Sequence, residues 1–231
     1  MKPLRLVLIT RRFWPLVGGA ERVTANLAAG FKDAGCRVQI LTARWEPHWP
    51  QQVRCRDVPV IRLPQPRLRV WGTLRYMRAI RTWLKRHRDE YDLVYVSMLK
   101  HDAYAALGAV GRDVPVVLRA EGGGETGDCA WHRRGVGGTL IAARCRRAPL
   151  VIAPSQPIAD ELAASRFAPS KICVIPNGVP IPPPVTPESR IAARLAIGRA
   201  NPRLQVDPLE QLAVYTGRLH PAKGLAVLVE A

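Results

Sequence analysis

Short apolar runs alternate with amphipathic segments over the first 175 residues, and this alternation limits the possible folds more than any other feature. A strand buried on both faces reads as an almost continuous apolar run, and a helix between two such strands covers one face of a parallel sheet. Seven runs of this kind occur, at 4–10, 37–42, 58–63, 93–97, 116–119, 150–153 and 172–175. The alternation therefore predicts an α/β fold with a doubly wound, Rossmann-like parallel sheet, in which ligands bind beyond the carboxyl ends of the strands.

The segments between the runs carry helical patterns. In the segment 20–34, Val23, Leu27 and Phe31 recur at four-residue spacing, and Gly35 follows as a stop signal. Comparable patterns predict further helices over 103–110, 138–146 and 157–164.

The stretch IPNGVPIPPPVTPE, at 175–188, is dense in proline, which makes a chain extended and semi-rigid. After it come a helical pattern over 189–197, an apolar run over 212–216 that predicts a strand, and a last helical pattern, GLAVLVEA. We therefore interpret the chain as three parts: a domain over 1–179, a Pro-rich linker and helix over 180–210, and the incomplete start of a second α/β domain over 211–231.

Gly18 and Gly19 stand where the first apolar run passes into the first helix, in the sequence PLVGGAERV. Backbone N–H groups are unpaired at the start of a helix and the helix dipole is positive there, so phosphate can bind at such a place. A simple strand-to-helix turn explains the same two glycines. Glu21 follows in the first turn, where a carboxylate interacts favourably with the dipole whether or not it contacts a ligand.

The net charge of +17, from 35 Lys and Arg against 18 Asp and Glu, favours anionic partners such as nucleic acid, a membrane surface or phosphorylated substrates. The basic residues are spread along the chain and no zinc-finger, RNP or helix-turn-helix signature appears, so we expect no specific nucleic-acid partner. The five cysteines include no C-x-x-C pair, which argues against a zinc site or a disulfide framework.

The segment from Trp71 to Arg88, WGTLRYMRAIRTWLKRHR, predicts an amphipathic, cationic helix. Its apolar stripe consists of Leu74, Met77, Ile80 and Leu84, and six basic residues fill much of the remaining surface: Arg75, Arg78, Arg81, Lys85, Arg86 and Arg88. Such a helix can lie on an anionic membrane with aromatic anchors, here Trp71 and Trp83. It can equally be a domain helix that packs its stripe on the sheet, and the two interpretations are compatible.

No apolar run approaches the ~18 residues that span a bilayer, and the first run is too short for the core of a signal peptide. We therefore expect a cytoplasmic protein that can bind peripherally to the inner face of a membrane.

Three stretches carry a resemblance to a known family. ITRRFWPLVGGAERVTANLAAGFKDAGCRVQILT resembles the opening of the family 4 glycosyltransferases, which have the GT-B fold. VIAPSQPIADELAASRFAPSKICVIPNGV resembles the end of their N-terminal domain, and VYTGRLHPAKGL resembles the first strand, loop and helix of their C-terminal domain. The three stretches occur in the family's order and together bracket nearly the whole chain.

The resemblance implies a retaining transfer of a sugar from a nucleotide-sugar donor to an acceptor, without a cofactor or a bound metal. The acceptor is then a sugar, a lipid-linked molecule or a small molecule bound mainly by the N-terminal domain, with Gly18 and Gly19 facing the cleft. Arg218 and Lys223 match the family's cations that hold the donor diphosphate, which gains negative charge as the glycosidic bond breaks. Two solvated loop charges are the alternative for this pair.

The chain departs from the family at one position. Many relatives have a His after the strand that matches 116–119, whereas this chain has Glu121. Glu121 is a candidate for contact with a sugar hydroxyl or a cation, or it caps a loop. His101 follows the preceding strand and is a second candidate for the same cleft, or it is an exposed histidine at a helix start. The family's His role transfers to neither.

Four functions remain in competition. The first is a glycosyltransferase that is weak or inactive as this chain alone, because the acidic motif that the family uses to bind ribose and sugar does not occur within 211–231. The second is a non-catalytic remnant or binding module, and the third is a basic nucleic-acid-binding protein. A NAD-binding enzyme is the fourth, and the sequence VGGAER argues against it because it lacks the G-x-G-x-x-G spacing.

Overall fold

The computed structural model describes residues 2–111, 113–179, 181–201, 203–204, 207, 211–216 and 224–230. The chain divides into two compact units, 1–178 and 179–231.

The described part of the first unit contains eight strands in one sheet. They are β1 (Arg5–Ile9), β2 (Arg37–Arg44), β3 (Gln52–Cys55), β4 (Val58–Pro64), β5 (Leu93–Ser97), β6 (Val116–Arg119), β7 (Leu150–Ala153) and β8 (Ile172–Val174). Their order in the sheet is β3-β4-β2-β1-β5-β6-β7-β8, and every pairing is parallel except that of β3 with β4. The predicted parallel sheet is confirmed, and each of the seven predicted runs contains a strand.

The strand β3 was not predicted. Its residues QVRC alternate between exposed and half-buried, so it is not the apolar run that marks an inner strand. It forms a hairpin with β4 through Arg56 and Asp57, which both have positive φ, at 50° and 59°. This is the backbone of a tight hairpin turn and places β3 at the edge of the sheet.

The order of the strands reverses at β1. The chain builds outward from β1 through β2 to β4, and then returns to place β5 on the other side of β1. Crevices at the carboxyl ends of the strands on either side of such a reversal are where ligands bind in open α/β sheets. The loops after β1 and β5 are therefore the first place to look for a site.

Helices connect the strands of the first unit. They are α1 (Gly19–Asp33), α2 (Arg69–Arg86), α3 (His101–Leu107), α4 (Asp128–Arg134), α5 (Gly138–Cys145) and α6 (Gln156–Ala164). Five of these six lie on predicted helical patterns, and α4 was not predicted. The first of them stops where Gly35 adopts a positive φ of 85°, as its sequence predicts.

Helices cover both faces of the sheet, because alternate residues of each strand point to opposite faces. Leu6 and Leu8 of β1 pack with Ala28 of α1 on one face. Val7 and Ile9 belong to the core on the other face, where α2, α3, α5 and α6 contribute. Full burial of one Leu or Ile side chain is worth about 1.5–3 kcal/mol, so both layers stabilise the sheet.

The helix α2 packs on the sheet with a stripe that differs in part from the predicted one. Ile80 and Leu84 are fully buried, whereas the predicted Leu74 is 49% exposed. At 100° per residue, Leu74 is turned by about 120° away from Ile80, so it cannot share its buried face. The buried face of α2 includes Tyr76 and Trp83, which the predicted stripe did not contain.

In the second unit the structure describes α7 (Pro187–Ala200) and α8 (Leu225–Glu230). A capping box starts α7: Thr186 Oγ1 accepts a hydrogen bond from the Ser189 amide at 3.2 Å, and Ser189 Oγ accepts one from the Thr186 amide at 2.9 Å. The predicted strand over 212–216 is wrong, since these residues have no regular secondary structure. A single strand needs a partner for its backbone groups, and the described part of this unit contains no other strand.

Candidate functional site

Three loops meet at the carboxyl edge of the sheet. They follow β1, β5 and β6, which are neighbours in that order. These loops and the helices after them carry Gly18, Glu21, His101 and Glu121. With Gly19, the first residue of α1, the structure therefore brings five of the predicted site residues to one edge.

Gly18 is the N-cap of α1 and has an extended backbone, with φ at −168°. Among the described residues no side chain caps this helix, and the space beside Gly19 is open within 4 Å of a Cβ atom placed there. Open space thus lies beside the first residue of this 15-residue helix, whose uncapped start can attract an anion. A Cβ atom on Gly18 would lie only 2.3 Å from Glu21 Oε2, so this glycine also leaves room for that carboxylate.

Glu21 lies in the first turn of α1 with a side chain that is only 12% exposed. Its Oε1 is 3.3 Å from Arg12 Nε, and Arg12 belongs to the loop that follows β1. The ion pair fixes the carboxylate next to the open amides of the same helix. Glu21 therefore partly neutralises the positive helix start.

Glu121 follows β6 and its side chain is 11% exposed. Its Oε1 accepts a hydrogen bond from Ser97 Oγ at 2.8 Å and lies 3.5 Å from Arg119 Nε. Burial raises the pKa of Glu121, while the bond from Ser97 and the charge of Arg119 act against that rise, and the nearby Glu21 adds to it. The second carboxylate oxygen, Oε2, has no hydrogen-bond partner within the described ranges and is the atom left for a ligand.

Arg119 is the last residue of β6 and is 5% exposed. Its Nη2 donates a hydrogen bond to Asn177 Oδ1, so the Asn-Gly turn after β8 is tied to the same edge. Its Nε has no hydrogen-bond partner in the described part of the chain. Sequence reasoning missed this residue, although an arginine that ends an apolar run is a signal that could have found it.

Asp128, the first residue of α4, joins two of the three loops. Asp128 is 3% exposed. Its carboxylate accepts hydrogen bonds from two backbone amides, that of Leu99 at 3.2 Å and that of Glu121 at 2.9 Å. This residue was also missed. Its role depends on the return of the loop 120–128 to the end of β5, which no local pattern reveals.

His101 is the first residue of α3 and is half-buried rather than exposed. Its ring packs edge-on against Trp131 with the ring centroids 5.1 Å apart. Burial, together with the positive charges of Arg11 and Lys100, lowers its pKa to about 4. His101 is therefore neutral at pH 7 and suits hydrogen bonding rather than the binding of an anion.

A second polar group lies beside His101. Burial raises the pKa of Asp102 to about 7, and its Oδ2 has no hydrogen-bond partner among the residues that the structure describes. Arg11 donates hydrogen bonds from Nη2 to Thr73 Oγ1 at 2.7 Å and to Gln65 Oε1 at 3.2 Å. Its charge acts on both Asp102 and His101, so these groups form one electrostatic cluster at the carboxyl edge.

The predicted diphosphate ligands Arg218 and Lys223 lie outside the described residues, so their roles stay predictions. The described ranges contain no group of three or more His, Cys, Asp or Glu side chains placed to hold a metal ion.

The model of the family described as Glycosyltransferase Family 4 matches residues 17–181. The chain belongs to this family. The matched segment includes α1, the whole sheet from β2 to β8 and every described residue of the carboxyl-edge cluster except those in the loop just after β1.

Solved structures share the fold. The chain is similar to sucrose-phosphate synthase from Thermosynechococcus elongatus, with a TM-score of 0.68 and 18% identity over 98% of this chain and 59% of that one. It is also similar to HepE from Anabaena in complex with UDP-glucose, with a TM-score of 0.57 and 20% identity over 86% of this chain and 50% of that one. A glycosyltransferase from Rickettsia africae matches with a TM-score of 0.56 and 15% identity, over 85% of this chain and 50% of that one.

The family 4 chain thus spans about half the length of HepE and of the Rickettsia enzyme. No curated protein sequence matches it. None of the helices in the described ranges is both long enough and apolar enough to cross a membrane.

Proposed function

We propose that this chain supplies the acceptor side of a retaining, metal-independent glycosyltransferase that uses a nucleotide-sugar donor. The observation that carries the proposal is the family match over 17–181, which includes most of the carboxyl-edge cluster. The proposed donor is a UDP-sugar, since HepE, similar in fold, was solved in complex with UDP-glucose.

Within this proposal the start of α1 contacts the substrate and Glu121 binds a sugar hydroxyl. The free Oε2 of Glu121 accepts the hydroxyl hydrogen, while Ser97 and Arg119 hold Oε1 in place. A carboxylate that is fixed before the substrate arrives loses little freedom on binding. His101, neutral at pH 7, lies at the end of the neighbouring strand and contributes a second polar contact.

Arg218 and Lys223 are the proposed ligands of the donor diphosphate. The leaving nucleoside diphosphate gains negative charge as the glycosidic bond breaks, and two fixed cations stabilise that charge. The developing charge does not require Glu121 or His101.

The test measures UDP release and sugar transfer from UDP-glucose and other nucleotide sugars. The 231-residue chain is compared with a version extended by a family C-terminal domain. We expect turnover only in the extended form, because orientation of the donor is worth about 7–11 kcal/mol and needs both walls of the cleft.

Glu121→Gln in the extended form should lower kcat/KM for the acceptor, and Glu125→Gln is its control because Glu125 is exposed on the same loop. If the extended protein is folded but releases no UDP from any donor, the glycosyltransferase proposal is contradicted and the binding-module alternative is favoured. Equal kcat/KM of the Glu121→Gln and Glu125→Gln variants would contradict the proposed contact between Glu121 and the acceptor.

We also propose peripheral binding to an anionic membrane through the first half of α2. Leu68, Val70, Trp71 and Leu74 are between 49% and 68% exposed, so the chain presents an apolar cluster at this end of the helix. Arg75, Arg78 and Arg81 are exposed beside it, and the segment 67–88 contains no acidic residue. Apolar side chains flanked by arginines fit a surface of anionic headgroups.

Cosedimentation with anionic and neutral vesicles tests this surface. We expect stronger binding to anionic vesicles, loss of binding with added salt, and loss in the double variant Arg78→Glu/Arg81→Glu. The control, Arg134→Glu/Arg147→Glu, makes the same charge change at two exposed positions elsewhere. Equal binding to both vesicle types, or equal loss in both double variants, would leave α2 as a packing helix only.

A further inference from the structure

A pocket of about 450 Å³ lies among α4, α5 and the end of α6. Its volume is within the range of small-molecule sites, which is about 300–1,000 Å³. None of Gly18, Glu21, His101 and Glu121 lines this pocket. We call this the α4–α6 pocket.

The charged lining of the α4–α6 pocket is of one sign. Arg133, Arg146 and Arg166 line it, and none of its other described lining residues is a carboxylate. None of the three guanidinium groups forms an ion pair with a described residue. Three unpaired arginines around a concave surface repel one another, and an anion relieves that repulsion.

One of the arginines, Arg146, is held in position by its side-chain contacts. Arg146 Nε donates a hydrogen bond to the Ser165 carbonyl at 3.0 Å, and the Arg146 guanidinium carbon is 6.0 Å from the Phe167 ring centroid. This leaves the two terminal nitrogens of Arg146 without a hydrogen-bond partner in the described part of the chain. Arg166 follows the end of α6 with a φ of +66°, where a glycine would be unstrained.

The neutral lining narrows the class of ligand. Thr139 and Ser165 are the hydroxyl residues of the described lining, which includes no Phe, Tyr or Trp on which a nucleobase could stack. The one ring in the lining, His132, already stacks on Phe167 at a centroid distance of 6.4 Å. Burial lowers the pKa of His132, and its Nε2 lies 2.6 Å from the Leu99 carbonyl oxygen, so it is neutral and turned to an internal partner.

We propose that the α4–α6 pocket binds a sugar phosphate, with the phosphate among Arg133, Arg146 and Arg166 and the sugar hydroxyls toward Thr139 and Ser165. Guanidinium groups bind phosphate through paired, charge-assisted hydrogen bonds, which makes arginine rather than lysine suitable here. The pocket is separate from the proposed transfer site and does not depend on it.

Calorimetric titration with glucose 6-phosphate, inorganic phosphate and glucose, at constant ionic strength, tests the proposal. We expect glucose 6-phosphate to bind most tightly, phosphate to bind more weakly and to compete, and glucose not to bind. The double variant Arg133→Gln/Arg166→Gly should weaken the binding of glucose 6-phosphate by about tenfold or more, because it removes two of the three cations that bind the phosphate.

The choice of glycine at 166 separates binding from folding, since glycine suits the positive φ and should leave the melting temperature unchanged or higher. The control is Arg37→Gln/Arg147→Gln, which removes the same charge at two exposed positions outside the pocket. The proposal is overturned by an absence of binding, by equal loss in both double variants, or by equal affinity for phosphate and glucose 6-phosphate. None of these variants alters the carboxyl edge, so the result is independent of sugar transfer.

Discussion

Replacement of Asp128 by alanine should destabilise the protein, because it removes a link between two loops of the carboxyl edge. The Asp128 carboxylate accepts the backbone N–H groups of Leu99 and Glu121 at 3.2 and 2.9 Å. It therefore connects the loop after β5 to the loop after β6. Alanine leaves both N–H groups without an acceptor in a place that water does not reach, because Asp128 is 3% exposed and Leu99 is fully buried.

The magnitude follows from the two lost bonds. A buried donor that is left unpaired costs about 1–3 kcal/mol. The Leu99 bond is buried and the Glu121 bond is only partly so, which places the total for Asp128→Ala at about 2–4 kcal/mol. Asp128→Asn keeps one of the two oxygens and should cost about half as much, roughly 1–2 kcal/mol.

Urea denaturation of the two variants, followed by tryptophan fluorescence, measures the free energy of unfolding. The control is Asp160→Ala: Asp160 is exposed and, among the described residues, its carboxylate accepts a hydrogen bond from the Gln156 side chain alone, so we expect a change within ~0.5 kcal/mol. An Asp128→Ala protein as stable as the control would show that the two amides find other acceptors. The argument that Asp128 holds the two loops together would then fail.

Three further results are expected. Gly72→Ala should lower the melting temperature, since its Cβ would lie 2.0 Å from the Pro66 carbonyl oxygen, whereas Gly30→Ala in open space on α1 should raise it; shifts of the same sign would contradict this reasoning. His101 and Asp102 should oppose each other in pH dependence: acid protonates a histidine that the fold keeps neutral, with a pKa of about 4, and a carboxyl that the fold prefers protonated, with a pKa of about 7. Between pH 7 and pH 4, Asp102→Asn should therefore lose stability more steeply than the wild type and His101→Gln less steeply, and parallel denaturation curves would refute the assignment. The hydrogen bonds from Arg5 lower the pKa of Asp92 to about 2, so the ionised Asp92 stabilises the fold above its ordinary pKa of 3.8, and this stabilisation is lost as pH falls toward 2. The stability of Asp92→Asn should therefore lack this pH dependence, whereas the control Asp113→Asn, at an exposed position, should retain it.

The inner strands could be predicted from the sequence because their physical requirement is local. A strand that is covered on both faces must be apolar throughout, and β1, β5 and β6 read in that way. The edge strand β3 was not predicted, because it pairs with one neighbour and its residues alternate between exposed and half-buried. The run over 212–216 failed for the opposite reason: it is apolar, but a strand also needs a partner, and sequence periodicity does not reveal one.

The sequence could predict where the candidate site lies, but only some of the residues that form it. Polar residues that follow apolar runs must gather at one edge of a parallel sheet, which located Glu121 and His101. The same rule applies to Arg119, which was overlooked because it was counted as the end of a strand. Asp128 could not be found in this way, since its partners are the amides of Leu99 and Glu121, and only the folded path of the chain brings these together.

The distribution of the excess positive charge separates the proposed roles. At the carboxyl edge, Glu21 and Glu121 are each paired with an arginine, Arg12 and Arg119, so this wall is close to neutral within the described residues. A neutral wall with fixed hydrogen-bonding groups suits an uncharged sugar hydroxyl better than a diphosphate, which agrees with an acceptor role for this unit and a donor role for Arg218 and Lys223. Further arginines without an ion pair to a described residue lie elsewhere, on α2 and in the α4–α6 pocket, although Arg11 at the carboxyl edge has none either. If the net charge of +17 served the transfer reaction itself, those arginines would be expected at the carboxyl edge; their placement favours separate anionic partners, a membrane surface at α2 and a sugar phosphate in the pocket.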